Sequence, residues 1–298
     1  AEELGQMAHE ETGYGKPQDK KVKNLLATRG VYAAIKDMKI ATYSMLGNHD
    51  HDRSAMDDYT SARVFEDYLG PTYYSFNAGQ VHYIVMDNII MHPQAPKGKR
   101  NYEYGLTERQ WQWLQNDLKF VDKTTPLVVT AHQPFFDMHE GEFLIVDEAA
   151  HKEDYTRLFS QFDKVYCWAG HRHHSYNCIY DEPELANIEQ HIVPRCNGMF
   201  WVNEWINNDG TPRSYCIMKV RGKDISWILH PVKYQRAEYV GTVKKPEFKN
   251  RKWDFIDGVA IMKDTGKVLD ESYQMNVFSP GAYGDGKVYA SIFMWDAK

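Results

Sequence analysis

The sequence lacks the features of three classes of protein. Its longest compact apolar stretches, such as Tyr83-Ile84-Val85-Met86, are far shorter than the roughly 18 residues of a membrane helix, so no membrane span is expected. No C-x-x-C pair occurs, which argues against a zinc ribbon or a dithiol redox centre. With 35 Lys and Arg against 41 Asp and Glu, the net charge is −6, so no nucleic-acid partner is expected.

Two further absences leave alternatives open. The cysteines form no short-range pair, so they are either buried thiols or half-cystines of an exported protein: Cys167, Cys178, Cys196 and Cys216. The first six residues are acidic and polar, without the basic end and apolar centre of a signal peptide, and without an initiator Met. Location therefore stays open from the sequence.

The 298 residues, 43% of them hydrophobic and 26% charged, are enough for one large domain or a large and a small one. From about residue 21 to 197, helical spacing alternates with apolar strand runs, which predicts an α/β domain. One predicted helix starts at Lys21. Three more span Ser61–Leu69, Leu106–Lys123 and Asp147–Asp163. The predicted strands are Ile40–Leu46, Tyr73–Phe76, Val81–Met86, Pro126–Thr130 and Val165–Ala169.

After residue 199 the pattern changes to short β runs separated by turn residues such as Asp264-Thr265-Gly266. These runs are Tyr215–Val220, Ile225–His230, Gly258–Met262 and Lys287–Trp295. We therefore expect two domains, 1–197 and a smaller β-rich domain over 198–298.

Three apolar strands each run into a histidine turn. The turns are Gly47-Asn48-His49-Asp50, Ala131-His132-Gln133-Pro134 and Gly170-His171-Arg172-His173. Ligands of open α/β sheets gather at the carboxyl ends of the strands, so these turns can converge although they lie far apart in sequence. Imidazole and amide oxygen suit ions such as Zn, Mn, Fe or Ni.

Such ions lower the pKa of bound water and hold a phosphoryl oxygen, which is what phosphoester hydrolysis requires. If the last turn is extended, His171 and His173 point to opposite sides and can serve two neighbouring ions. His49, next to Asn48, could protonate the leaving oxygen.

These residues resemble the third, fourth and fifth motifs of the calcineurin-like metallophosphoesterases, in the same order. The resemblance covers about residues 40–197, and the tail looks like that of a bacterial subgroup with a β-rich C-terminal domain. It implies a layered αββα sandwich and a phosphomonoesterase or phosphodiesterase that uses a metal-activated hydroxide on a small phosphorylated substrate. It also implies that Asn48, His132 and His171 bind one metal, that His173 binds the other, and that His49 is the catalytic histidine.

The family's first two motifs, Asp-x-His and Gly-Asp-x-x-Asp, should precede Gly47, and residues 1–46 contain neither. We interpret their absence to mean that both motifs lie in a segment upstream of Ala1. We therefore expect the 298-residue chain to hold one ion or none rather than two. Asp137-Met138-His139 is a poor substitute because it follows the fourth motif. The alternative is a non-catalytic binding protein on a degenerate or truncated scaffold.

Other residues near the turns have simpler interpretations. Asp50 and Asp87 are expected to hold their turns. His51 and Asp52 are expected to be structural, with contact to the substrate or to a metal ligand as the alternative. A nuclease fits the same chemistry, but the negative charge speaks mildly against it.

Overall fold

The structure is a computed structural model. It describes residues 20–96, 99, 101–139, 142–145, 150–172, 176–179, 183–194, 196, 214–231, 253–256, 259–262, 268–269, 275–278 and 289–292. The described helices are α1 (Lys20–Ile35), α2 (Asp58–Ser61), α3 (Arg63–Leu69), α4 (Glu108–Leu118) and α5 (Lys152–Phe159).

The first ten described strands belong to the region where an α/β domain was predicted. They are β1 (Tyr74–Ala78), β2 (Val81–Met86), β3 (Ile89–Met91), β4 (Tyr102–Tyr104), β5 (Leu127–Ala131), β6 (Phe136–His139), β7 (Glu142–Ile145), β8 (Val165–Ala169), β9 (Tyr176–Ile179) and β10 (Ile188–Ile192). Six of them form one mixed sheet in the order β1-β2-β5-β8-β10-β9. β1 and β2 are antiparallel, whereas β5 is parallel to both β2 and β8. The chain is therefore mixed α/β with a parallel core, as the sequence predicts.

One face of this sheet packs on α4 and α5. Ile84, Val129 and Cys167 come from three adjacent strands, and Leu114 and Phe159 come from the two helices. All five side chains are buried, because alternate residues of a strand point to the same face. This core holds β5 and β8 in place and thereby positions the residues that follow them.

The remaining strands follow residue 213, and all of their described pairings are antiparallel. They are β11 (Ser214–Arg221), β12 (Asp224–Pro231), β13 (Trp253–Ile256), β14 (Val259–Met262), β15 (Val268–Leu269), β16 (Met275–Phe278) and β17 (Tyr289–Ile292). β11 pairs with β12, and β13 to β17 form a five-stranded sheet in sequence order. The smaller β-rich domain over 198–298 stays a prediction.

The described residues separate into two compact units. One takes the residues up to His171 together with Cys178–Gln190, and the other takes Arg172–Asn177 and the residues from His191 onward. The predicted boundary at 197/198 stays a prediction. None of the described helices is long and apolar enough to cross a bilayer.

Several element boundaries differ from the prediction. Ser61–Leu69 was predicted as one helix, but the structure has two short ones that meet at Ala62. α4 begins two residues later than predicted, at Glu108, because the Thr107 side chain caps the helix by accepting a hydrogen bond from the Gln110 N–H, and it ends five residues earlier than predicted. α5 also begins later than predicted, after His151, whose φ of 61° is left-handed.

The predicted strand at Ile40–Leu46 is wrong. This segment has no regular secondary structure from Ala41 to Leu46, and it joins no sheet in the part of the chain that the structure describes. Side chains hold it instead: the Tyr43 ring stacks on Phe76 at 4.1 Å, and the Tyr74 hydroxyl donates to the Ser44 carbonyl. An apolar run alone cannot make a strand, because a strand also needs a neighbouring backbone.

Cys167, Cys196 and Cys216 are free cysteines, but only Cys167 is buried, whereas Cys216 is half-buried and Cys196 is exposed. The interpretation as buried thiols therefore fits Cys167 and is wrong for Cys196. The side chain of Cys178 lies outside the described residues.

Candidate functional site

Asn48 sits in a tight turn that its neighbours close. The Gly47 N–H donates to Asp50 Oδ2 at 2.8 Å, and the Asp50 N–H donates to the Gly47 carbonyl at 2.9 Å. Burial raises the pKa of the Asp50 carboxyl, and the hydrogen bond from Gly47 lowers it in part. Leu46 anchors the turn among Ala62 and Phe65, and Asn48 is only 4% exposed. Asp50 thus makes the turn contacts expected of it.

His132 is the residue after β5, and its ring lies against Gly47. A Cβ at Gly47 would come within 2.8 Å of His132 Nδ1, so only glycine lets this ring pack so close to the turn. On the other side of the ring, His132 Nε2 lies 2.9 Å from Asn48 Oδ1. The first two histidine turns therefore meet.

His171 joins them from the third turn, two residues after β8. Its Nδ1 lies 3.1 Å from His132 Nε2, and the two ring centroids are 5.0 Å apart. The Gly170 N–H donates to the His132 carbonyl at 3.1 Å, which links the two strand ends. His171 has a φ of 63°, a left-handed conformation that costs a non-glycine residue about 1–2 kcal/mol. Strain of this kind is typical of functional sites.

Three donor atoms thus face one another: Asn48 Oδ1, His132 Nε2 and His171 Nδ1. His132 Nε2 can form hydrogen bonds to both Asn48 Oδ1 and His171 Nδ1 only if it carries a proton that both atoms share. The reason is that each imidazole nitrogen carries either one proton or one lone pair. Donor atoms bound to one zinc ion at roughly 2.0–2.1 Å lie roughly 2.9 Å apart at a right angle and roughly 3.4 Å apart at the tetrahedral angle. The observed separations of 2.9 and 3.1 Å lie in that range, so this donor set fits a divalent ion.

The other two predicted site residues are His49 and His173. His49 is exposed beside Asn48, and His173 lies outside the described residues. Among the described residues no group of three or more His, Cys, Asp and Glu side chains could hold a metal ion. Two histidines and an amide are therefore the donors that the described part of the chain supplies.

The sequence analysis missed the aromatic side of the cluster. The hydroxyl of Tyr104, on β4, lies 3.4 Å from His171 Nε2, and the ring of Tyr102 stands edge-on to the His171 ring at 6.4 Å. Their spacing of two residues puts both tyrosines on one face of β4. That alternation was the only signal in the sequence, and a three-residue strand is too short to predict from it.

The ends of β2 and β5 are joined beside the cluster by a buried amide. The Asn88 side chain donates to the Gln133 carbonyl at 2.7 Å and accepts from the Gln133 N–H at 3.0 Å. These bonds fix the backbone next to His132. Asp87, which precedes Asn88, is a half-buried residue whose carboxyl pKa rises to about 8 through desolvation and the nearby charge of Asp58.

His51 is buried three residues after Asn48. The Ser61 hydroxyl donates to the Asp58 carbonyl, so it accepts from His51 Nδ1 at 2.7 Å. His51 Nε2 is buried without a hydrogen-bond partner, and burial lowers the pKa of His51 to about 4. The ring is therefore neutral at pH 7, and it supports the turn as the structural interpretation expects.

Comparison with known proteins finds partial likeness to plant phosphatases. Purple acid phosphatase 23 of Arabidopsis thaliana is 27% identical over 146 residues, which are 45% of this chain and 29% of that protein. Probable purple acid phosphatase 20 of the same plant is 32% identical over 116 residues, 37% of this chain and 24% of that protein. The chain thus spans less than a third of the length of these relatives. No family model matches the chain.

Proposed function

We propose that this protein is a metal-dependent phosphoester hydrolase, of which the described residues supply one half of a metal centre. The observation that carries this proposal is the convergence of Asn48 Oδ1, His132 Nε2 and His171 Nδ1 within 2.9 and 3.1 Å. The partial likeness to purple acid phosphatases supports the same chemistry. The finer assignments, to a bacterial calcineurin-like subgroup and to an αββα sandwich, are part of this proposal.

In the proposed site each residue has one task. Asn48, His132 and His171 hold a divalent ion, which when bound polarises a phosphoryl oxygen and lowers the pKa of water. His49, exposed beside Asn48, gives a proton to the leaving oxygen. His173 contributes to a second ion, whose carboxylate ligands come from outside the described residues. The substrate is a small phosphorylated molecule.

A metal titration tests this proposal on the 298-residue chain. Mn or Zn should bind at a ratio of one per chain, and His132→Ala should abolish binding. His230→Ala, which changes a histidine on β12, is the matched control and should bind the metal normally. Two ions bound tightly per chain, or none, would contradict the assignment of a half-centre.

Hydrolysis is measured on the same samples with aryl phosphates and bis-aryl phosphates. We expect slow, metal-dependent turnover that His132→Ala removes. His49→Ala should lower turnover while metal affinity is retained, because His49 is assigned to the leaving group and not to the ion.

A second candidate function is a non-catalytic binding protein on the same scaffold. It is favoured because no group of three or more His, Cys, Asp and Glu side chains among the described residues could hold a metal ion. Stoichiometric metal binding without hydrolysis of either substrate class would favour this candidate over the hydrolase.

A further inference from the structure

Tyr104 makes a specific polar contact with a proposed ligand on the side away from the other donor atoms. Its hydroxyl lies 3.4 Å from His171 Nε2, whereas His171 Nδ1 faces His132 at 3.1 Å. The two nitrogens of the His171 ring thus have different surroundings: Nδ1 meets the donor cluster and Nε2 meets a phenol.

The position of Tyr104 is set from two directions. Across the β3–β4 hairpin it pairs with Ile89, and its carbonyl accepts a hydrogen bond from the Ala150 N–H at 2.9 Å. The next residue, Gly105, donates to the Asn88 carbonyl, and a Cβ there would overlap the Ala150 backbone. The hydroxyl is therefore presented by a backbone that is tied to the end of β2 and to Ala150.

A neutral imidazole carries one proton, and the partner of one nitrogen decides the role of the other. If Nε2 carries the proton and donates it to the Tyr104 oxygen, the lone pair of His171 lies on Nδ1, where it faces His132 and Asn48. If Nδ1 carries the proton, His171 cannot bind an ion there. Ligand histidines generally have their second nitrogen held by a hydrogen bond in this way.

We propose that Tyr104 is a positioning residue that holds His171 in its Nε2–H tautomer and thereby presents the Nδ1 lone pair to the metal. The strained φ of 63° at His171 makes such a contact useful, because the backbone alone does not favour this placement of the ring. Tyr102 packs edge-on against the same ring and limits its rotation. This inference rests on the proposed function, but its first test needs no metal.

Tyr104→Phe removes the hydroxyl and keeps the ring. In the metal-free protein, the imidazole nitrogen signals of His171 in a long-range ¹⁵N–¹H spectrum should report the Nε2–H tautomer for the wild type and a mixture for Tyr104→Phe. Tyr73→Phe is the matched control, because the Tyr73 ring packs on Trp113 of α4, with the ring centroids 5.0 Å apart, and not on His171. Equal tautomer populations in wild type and Tyr104→Phe would overturn the inference.

Metal affinity gives the second readout. Tyr104→Phe should bind Zn or Mn about 10-fold more weakly than the wild type, and Tyr73→Phe should bind them equally well. Equal affinity of Tyr104→Phe and wild type would also overturn the inference. If neither binds metal, the proposed function fails, and the tautomer comparison still decides the role of Tyr104.

Discussion

Two different kinds of segment position the donor atoms of Asn48, His132 and His171. His132 and His171 follow β5 and β8, whose side chains are almost all buried, whereas Asn48 follows a segment that joins no sheet within the described residues. Before Asn48, large apolar side chains are exposed by 40–68%: Val31, Tyr32, Met38, Ile40 and Tyr43. The histidines are thus placed by a packed core, and Asn48 by a short turn and one buried leucine.

The largest effect should come from the core side of this comparison. Phe159→Ala removes a buried ring from the sheet–helix core and should lower the free energy of unfolding by about 3–5 kcal/mol. Ile40→Ala, on the exposed segment, should change it by about 0.5 kcal/mol or less. Urea denaturation measures both, and a similar loss in the two variants would remove the distinction between the regions.

Gly47 is where the two regions touch, and it gives the next largest effect. Gly47→Ala places a methyl group 2.8 Å from the His132 ring, so the ring must shift away from Asn48. We expect at least about 10-fold weaker metal binding in a titration with Mn or Zn.

Gly79→Ala is the control for this substitution. A Cβ at Gly79 meets no atom within 4 Å, although the φ of 63° at this residue is left-handed. It should cost about 1 kcal/mol of stability and leave metal binding unchanged. Equal metal affinities of Gly47→Ala and wild type would show that the close approach does not position His132.

The sequence predicts the packed sheet better than it predicts the segment before Asn48. β2, β5 and β8 were predicted within about a residue because their apolar runs are buried by a core that the same residues form. The meeting of His132 and His171 was predicted because the carboxyl ends of neighbouring strands share one edge of a sheet. Asn48 lies beside them although the segment before it joins no sheet within the described residues, so for Asn48 the strand premise of the prediction was wrong. The unpaired state of Ile40–Leu46 could not be predicted, since it depends on which backbone lies alongside.

Tyr104 shows a different limit. Its place beside His171 depends on the bond from Ala150 and on pairing with Ile89, which are 46 and 15 positions away in the chain. No local pattern records such contacts. Single-residue hydrogen bonds between distant loops come from tertiary packing.

The pH dependence of stability tests the effect of burial on the Asp87 carboxyl, which follows β2. Burial raises the pKa of Asp87 to about 8, above roughly 3.9 for an unfolded chain, so the folded state holds its proton more tightly. The stability that this proton contributes is fully present below about pH 4 and is lost as the pH rises towards 8. Denaturation midpoints between pH 5 and 9 should therefore fall less in Asp87→Asn than in wild type. Parallel pH profiles of the two proteins would refute the assignment.

The smallest effect is expected at the outer edge of the same sheet. Burial raises the pKa of Asp117, but the hydrogen bonds from His82 at 2.9 Å and Ser75 at 2.7 Å outweigh it, so the net pKa lies below its usual range. The stability from this carboxylate is present above about pH 4 and is lost as the pH falls further. Asp117→Asn should therefore flatten the acid side of the stability profile, measured by thermal melts from pH 3 to 6. An unchanged acid limb would show that the bonds of His82 and Ser75 contribute nothing there.

The backbone bond from Gly170 to His132 has a mechanical consequence. It couples the two imidazoles into a stiff pair, whereas the amide opposite belongs to a loop with far less support. When ions of larger or smaller radius are exchanged in the cluster, the adjustment should therefore fall on Asn48, and the spacing of the imidazoles should stay nearly constant.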